Sequence, residues 1–434
     1  MLAELPRRLR GIRRRIRRKV EPVLLGLWRR LMFRTTVIAI TGSVGKTTAK
    51  EVLAAILATR GRTLKTRNNE NDDEGVARTL RALRPWHRFA VIEVGTGKPG
   101  TVARSARLVR PDIAVVLGVA RTHTNVFASL DETAREKASL LRYLAPRGVA
   151  ILNADDPRVR AMTPLAGTRI VTFGADPEAG LRLLAASARW PARLALDVAA
   201  DEARIHVQSQ LVGIHWTPSL LGALAAARAC GVPPAAATRA VETVEPFTAR
   251  MQPVVLPGGA IAIRDEGNGS PDTLDAMFAV LRDARARRRV LVFSDLSDSR
   301  RSPRKRLRDI GALAAALTDL AIFVGGSAHH AVRGAMDQGM ARSACHAFAS
   351  LEDAAALLRR ELRDGDLVFI KGRATDHLSR ILFAQFGPIG CWLYSCPVRR
   401  PCDLCDRLQP SFALGAALSP ASPSDAGLHL AELR

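Results

Sequence analysis

Residues 36–58 pass from a β-branched run, Thr36–Ile40, through the turn Thr41-Gly42-Ser43-Val44-Gly45-Lys46-Thr47-Thr48 into an Ala/Leu-rich helical pattern from Thr47 to Ala58. Glycines in such a turn let backbone N–H groups point inward around a phosphate. The helix that follows adds the partial positive charge of its N-terminus. Lys46 is placed to reach terminal phosphates, and the Thr47 hydroxyl is placed to ligate Mg²⁺. The turn is shorter than the usual P-loop pattern, because Ile40 stands where that pattern has its first glycine. A nucleotide-phosphate site built from Gly42, Ser43, Val44, Gly45, Lys46, Thr47 and Thr48 is expected, in preference to a plain glycine-rich turn.

The same alternation continues. Phe89–Val94, Ile113–Val119 and Val149–Asn153 read as strands and Glu132–Leu144 as a helix. Strands alternating with helices imply a mainly parallel sheet covered on both faces. Residues 168–212 lack helical periodicity and read as a small antiparallel patch, followed by an Ala-rich helix, Ser219–Ala229. A second α/β series begins near Val254, with strands Ala260–Arg264, Arg289–Phe293, Leu320–Val324 and Leu367–Lys371. The expected division is a basic arm over 1–34, a P-loop nucleotide-binding domain over 35–245, a second α/β domain over 246–388, a cysteine cluster over 389–406 and a loose tail over 407–434.

With 47% apolar residues in 434, the chain can bury sizeable cores, and wholesale disorder is excluded. The longest apolar stretch, Ile381–Tyr394, is too short and too interrupted to span a bilayer. The formal net charge is +24, yet only 8 of the 65 basic residues are lysine. The arginines are dispersed, so the surplus does not point to nucleic acid. Where lysine is retained, an amine is needed that a guanidinium cannot replace. One basic cluster stands apart. Residues 1–34 carry 12 basic residues against Glu4 and Glu21, a net of +10. Leu2, Leu5, Leu9, Ile12, Ile16, Val20, Leu24 and Leu27 run through it at helical spacing. This is a basic amphipathic helix suited to an anionic membrane surface; the alternative is an arm packed on its own domain or a partner. It lacks the apolar core and cleavage site of an export signal, so a cytoplasmic location, at the inner membrane face, is expected.

Without an export signal a disulfide framework is not expected. Cys230 and Cys345 read as buried small residues. Cys391-x4-Cys396-x5-Cys402-x2-Cys405 places four thiols in 15 residues. That spacing suits a structural Zn²⁺ site, with an Fe–S centre, a redox pair or plain packing as alternatives.

Thr41–Thr48 resembles the short P-loop of the Mur ligases and folylpolyglutamate synthetases, and the likeness continues in order. Asn69-Glu70-Asn71-Asp72-Asp73-Glu74-Gly75-Val76 resembles a segment of the D-alanyl-D-alanine-adding branch of the Mur ligases. Ile92-Glu93-Val94-Gly95 is similar to the strand end whose acid holds Mg²⁺ in that family. His123, with Phe127 and Ser129, and Lys137 fourteen residues after it, match the family's metal histidine and carbamylated lysine. From the residues alone, His123 also reads as a satisfied loop histidine and Lys137 as part of a solvated charged face. Arg250 resembles the family's interdomain arginine that meets ATP phosphate. Asp265 with Asn268 and Pro271 resembles its Asp…Asn-x-x-Pro nucleotide loop, and Asp295 and Lys371 match later strand ends, although a strand-end lysine can be merely solvated. The resemblance implies a Mur ligase central domain followed by a smaller Rossmann-like α/β domain. It also implies ATP with Mg²⁺ at two sites, and amide formation through an acyl phosphate.

Departures bear on the substrates. The family's His-Asn-x-x-Asn adenine segment stands here as His215-Trp216-Thr217-Pro218-Ser219, without either asparagine, so Trp216 is a candidate for stacking. Gly267 replaces a tyrosine. The uridine-nucleotide domain that precedes the family's P-loop is not seen, and the basic arm stands in its place. The expectation is therefore an ATP-dependent ligase joining a carboxylate acceptor to an amino-acid or peptide amine in envelope, peptidoglycan-related or capsule polymer synthesis. The rivals are a divergent D-alanyl-D-alanine-adding precursor ligase and a membrane-associated P-loop ATPase that ligates nothing.

Overall fold

The computed structural model describes residues 20–121, 126–297, 299, 301–394, 396, 398, 401–414 and 418. Two compact units emerge. One comprises the chain up to residue 185 with 197–207 and 217–244, and the other comprises 186–196, 208–216 and the chain from 245 onward.

The first unit opens with a helix described over residues 20–31 (α1). β1 (Thr36–Thr41) then enters α2 (Lys46–Ala58), followed by β2 (Thr63–Lys65), α3 (Asp73–Ala82), β3 (Phe89–Glu93), α4 (Thr101–Val109) and β4 (Ile113–Val116). α5 (Leu130–Ala138), β5 (Val149–Asn153), α6 (Pro157–Arg160) and β6 (Arg169–Gly174) come next. β7 (Leu181–Ser187), β8 (Ala195–Ala200), β9 (Ala203–Gln208), α7 (Thr217–Ala229) and α8 (Pro234–Glu242) complete the series. The strands form one sheet in the order β2-β3-β1-β4-β5-β6-β7-β8-β9, parallel from β2 through to β7. Central strands of a parallel sheet are covered on both faces, and Val37, Ile38, Ala39 and Ile40 are accordingly buried.

Three readings are corrected here. Residues 168–212, read as a small antiparallel patch, join the main sheet, and the patch does not begin at residue 168: β6 pairs parallel with β5, Val149 opposite Arg169, and with β7, Phe173 opposite Leu181. The helix read as Glu132–Leu144 stops at Ala138, and the chain continues as a 3₁₀ turn over Leu141–Tyr143. Leu140 and Leu141 still enter the core, which is why the apolar period looked unbroken. The segment read as a loose tail begins packed, with Leu408 buried and Phe412, Leu414 and Leu418 against the same core.

The second unit is built on a six-stranded sheet of β10 (Gln252–Val255), β11 (Ile261–Asp265), β12 (Arg288–Phe293), β13 (Leu320–Val324), β14 (Cys345–Phe348) and β15 (Asp366–Lys371), in the order β10-β11-β15-β12-β13-β14. Only β10 pairs antiparallel. α9 (Asp272–Asp283), α10 (Pro303–Leu317), α11 (His329–Asp337), α12 (Leu351–Glu361) and α13 (Ser379–Phe383) accompany it. Its core takes in Cys391, Cys402 and Leu408 from the segment beyond α13.

Candidate functional site

The P-loop sits at the carboxyl end of β1, where ligands of parallel α/β sheets gather. Gly45 adopts φ +83°, and a Cβ there would stand 2.1 Å from Ser219 Oγ on α7. Only glycine serves at this point of the turn. The loop is pinned at Ser43, whose N–H donates to Gly118 O at 2.9 Å and whose Oγ accepts from Ala120 N–H at 2.8 Å. Lys46 Nζ lies over the loop, donating to Gly42 O at 2.8 Å and Ser43 O at 3.2 Å.

β3 runs beside β1 with Ile40 opposite Glu93, so the strand end delivers a carboxylate to the first turn of α2. Thr47 Oγ1 donates to Glu93 at 3.2 and 3.0 Å, and Asn71 Nδ2 donates to the same carboxylate at 2.6 Å. Lys50 Nζ lies 3.8 Å from it and Glu93 is buried, while the Glu93 N–H donates to Thr66 Oγ1. Two oxygen-bearing side chains, one of them anionic, therefore converge beside the phosphate loop. That donor set fits a hard divalent cation such as Mg²⁺.

Lys137 enters the same region from α5, whose N-cap Ser129 accepts from Glu132 N–H. It does not lie on a solvated face: it is 1% exposed, and Nζ donates to Thr96 Oγ1 at 3.0 Å. Burial pushes its pKa well below the ordinary lysine value, and the charge of Lys46 pushes in the same direction. Desolvation of this kind favours the neutral amine over the ammonium. His123 lies outside the described residues.

In the second unit, Lys371 is also fully buried. Its Nζ donates to Asp265, to Thr273 Oγ1 at 2.8 Å and to Asn268 O at 2.7 Å. Burial drives the Lys371 pKa down and the Asp265 pKa up, each against the pull of the other, with Arg250 close enough to act on both. Of the two readings left open for Lys371, the merely solvated strand-end lysine is thus excluded. Gly267 has a packing reason, since a Cβ would meet Ala249 O at 2.7 Å. His215 is held neutral, its pKa lowered to about 3 by burial and by Lys371. Trp216 is buried and its Nε1 finds no partner among the described residues. Asp295 is bound by Arg306.

The four clustered cysteines do not assemble. Among the described residues no group of three or more His, Cys, Asp or Glu could hold a metal ion. Cys391 and Cys402 are buried in apolar surroundings, and Cys402 Sγ lies 3.4 Å from His377 Nδ1, with burial raising the Cys402 pKa and lowering that of His377. Cys345 is buried as read, but Cys230 is only partly so. Sequence reasoning missed Lys50 and Thr96. Lys50 is completely buried and donates to Thr66 O at 2.9 Å; the scarcity of lysine was the signal that could have found it.

A phosphate loop, an oxygen-rich cation cradle and a desolvated amine on one α/β unit, followed in the chain by a second α/β unit, define a nucleotide-driven group-transfer enzyme. The Mur ligase middle domain family matches residues 40–227, and the Mur ligase glutamate ligase domain family matches residues 249–374. The chain is 31% identical over 378 residues to the UDP-N-acetylmuramoyl-tripeptide–D-alanyl-D-alanine ligase of Mycobacterium tuberculosis, covering 82% of this chain and 74% of the relative. It is 30% identical over 275 residues to the Escherichia coli enzyme of that name, covering 63% and 61%. Among solved structures, a MurF from Acinetobacter baumannii superposes with a TM-score of 0.74 at 26% identity, covering 84% of this chain and 79% of that one. A Thermotoga maritima MurF in complex with ADP shares the fold at TM-score 0.72 and 19% identity, covering 84% and 82%. The chain belongs to the Mur ligase family, and is thereby an ATP-dependent amide-bond-forming ligase with a peptidoglycan-related role.

Proposed function

We propose that this ligase joins the amine of a D-alanyl-D-alanine-type dipeptide to a carboxylate of a peptidoglycan-precursor peptide. The observation that carries this is the extended similarity, through both α/β units, to enzymes named for that dipeptide. The acceptor carboxylate attacks the γ-phosphorus of ATP, giving an acyl phosphate and ADP. The dipeptide amine then attacks the acyl carbon, phosphate leaves, and the ammonium proton passes to solvent or a site base. Charge on the transferring phosphoryl group must be met by fixed cations and N–H groups. We assign that work to Lys46 and the loop from Gly42 to Thr48, and we assign nucleotide binding to Arg250, Asp265 and Asn268 as well.

Thr47 and Glu93 would hold Mg²⁺, which supplies charge neutralisation to the phosphates. A second cation would draw on His123 and on Lys137 as its carbamate. The desolvated Lys137 amine supports that assignment, because only a neutral amine attacks CO₂, and the product is an anion.

The test is phosphate release from Mg·ATP by the purified protein, with D-alanyl-D-alanine, L-alanyl-L-alanine and D-alanine as amines. A nucleotide-linked muramoyl-tripeptide and a lipid-linked or polymeric muropeptide serve as acceptors. Release requiring both an acceptor and the D,D-dipeptide, with the matching mass gain in the acceptor, is expected. Which acceptor responds identifies the carrier. Release indifferent to every amine, yet abolished by Lys46→Ala, would overturn the reading in favour of an ATPase module.

A further inference from the structure

The helix α1 lies outside the chemistry described above and presents two contrasting faces. Leu25 and Met32 enter the core of the first unit, and Arg29 is buried with them. Arg29 donates to Val109 O at 2.9 Å and Arg110 O at 3.0 Å and pairs with Asp112 at 2.9 Å. Trp28 Nε1 donates to Leu83 O, and Arg81 pairs with Glu21. The helix is thus fastened along its inner side. At about 100° per residue, Val20, Val23, Leu24, Leu27 and Leu31 fall on one stripe of the other side, and all five are exposed, Leu31 by 65%.

The stripe does not end with the helix. Thr35 Oγ1 donates to His87 O, which sets the segment bearing Phe33 (79% exposed) beside the loop bearing Trp86 (58% exposed). An open groove of about 540 Å³ runs along Leu24, Leu27, Trp28 and Leu31, with Arg81 and Arg84 among its lining residues. Contiguous apolar surface of this kind on a soluble unit marks a partner.

We propose that this face is a membrane-interface docking surface, occupied by an anionic phospholipid bilayer. The charge selects that occupant. Arg30 and Arg34 are exposed beside the stripe and Arg81 and Arg84 line the groove, so a second copy of this face would bring like charge against like. An anionic leaflet gains from the exposed cations beside the stripe, while Leu, Val and Phe side chains enter the headgroup–acyl boundary and tryptophan settles at the interface. Because α1 is bolted to the sheet through Arg29, docking would fix the orientation of the ATP-binding unit on the surface rather than merely tether it. This goes beyond the ligase reading and does not depend on it.

The experiment is co-sedimentation of the full chain with phosphatidylglycerol/phosphatidylcholine vesicles and with phosphatidylcholine vesicles alone. It compares wild type with Leu24→Gln/Leu27→Gln, a change confined to exposed positions and neutral in charge. Expected are preference for the anionic vesicles, at least tenfold weaker binding by the variant, a blue shift of wild-type tryptophan emission that Trp86→Phe reduces, and unchanged ATP binding. Equal vesicle binding by variant and wild type would overturn the proposal, since charge alone would then hold the protein. So would an absence of vesicle binding accompanied by a dimer, in sedimentation velocity, that the variant dissolves. Should the double variant misfold, Phe33→Gln asks the same question from the other end of the stripe.

Discussion

Lys137→Met isolates what the burial of this amine does. Methionine has similar length and no charge, so it removes the desolvation penalty while giving up the hydrogen bond to Thr96 Oγ1, worth about 1 kcal/mol. Replacing a buried ionic group by a hydrophobe of similar volume commonly stabilises by about 1–4 kcal/mol. For a unit of this size that corresponds to a rise in Tm of roughly 2–4 °C per kcal/mol. The pH dependence identifies the cause. In the unfolded chain Lys137 titrates near the ordinary value of 10.5, and in the folded chain well below it. Between those two values the unfolded state binds the extra proton, so wild-type stability gains with rising pH throughout that window. The variant lacks this gain. Its advantage over wild type is therefore largest below the folded pKa and shrinks as pH approaches 10.5, where only the lost hydrogen bond separates the two. Denaturant titrations of both proteins from pH 6 to 10, in CO₂-free buffer, measure the difference. Amine-dependent phosphate release by the variant should meanwhile fall at least 100-fold. A stability difference constant with pH, or a variant less stable than wild type at pH 7, would refute the reasoning. Adding bicarbonate should raise the Tm of wild type alone, and labelled bicarbonate should give a carbamate signal absent from the variant.

Glu93→Gln keeps the shape of the acceptor for Thr47 and Asn71 but removes its charge; phosphate release should fall about 10²–10³-fold, the scale for losing one fixed electrostatic group, with a raised Mg²⁺ requirement on titration. Asp265→Asn leaves the buried Lys371 ammonium without its counter-ion and should cost about 3–5 kcal/mol in urea unfolding, with stability then recovering as pH rises and Lys371 deprotonates. Gly267→Ala forces a Cβ to within 2.7 Å of Ala249 O, an overpacking cost of about 1–3 kcal/mol that calorimetry should register as a lower Tm.

The parts of the fold legible in the sequence are those whose cause is local. A β-branched run, a glycine turn and an Ala/Leu helix lie next to one another in the chain, so β1, the P-loop and α2 could be read directly, and Glu93 followed as the end of a neighbouring apolar strand. Elements set by tertiary partners escaped. β10 contains Pro253 and β14 is the four-residue Cys345–Phe348; both are edge strands, held by one neighbour each, with no strong apolar run to announce them. The end of α5 at Ala138 was hidden because the following residues remain buried while the backbone changes from α to 3₁₀. The cysteine spacing suggested a metal site, but spacing cannot say that Cys391 and Cys402 sit within an apolar core.

The distribution of cations carries the argument one step further. Arginine outnumbers lysine by 57 to 8, yet Lys50, Lys137 and Lys371 are all at most 1% exposed. Buried arginine occurs too, and its surroundings differ. Arg264 is bracketed by Glu266 and Asp403, and Arg29 by Asp112 with two carbonyls. A guanidinium cannot shed its proton, so each burial is matched by fixed negative charge or carbonyl dipoles. Lys371 follows the same rule through Asp265. Lys137 differs: among the described residues no carboxylate pairs with its amine, and burial together with a second lysine, Lys46, outweighs the favourable charge of Glu136. A buried cation without a paired counter-charge persists only if it can stop being a cation. Lysine has that route, by losing a proton and, with CO₂, by becoming an anion. At this position the choice of lysine in an arginine-rich chain is therefore a statement about chemistry rather than packing, and it is the residue on which the proposed second cation site stands or falls.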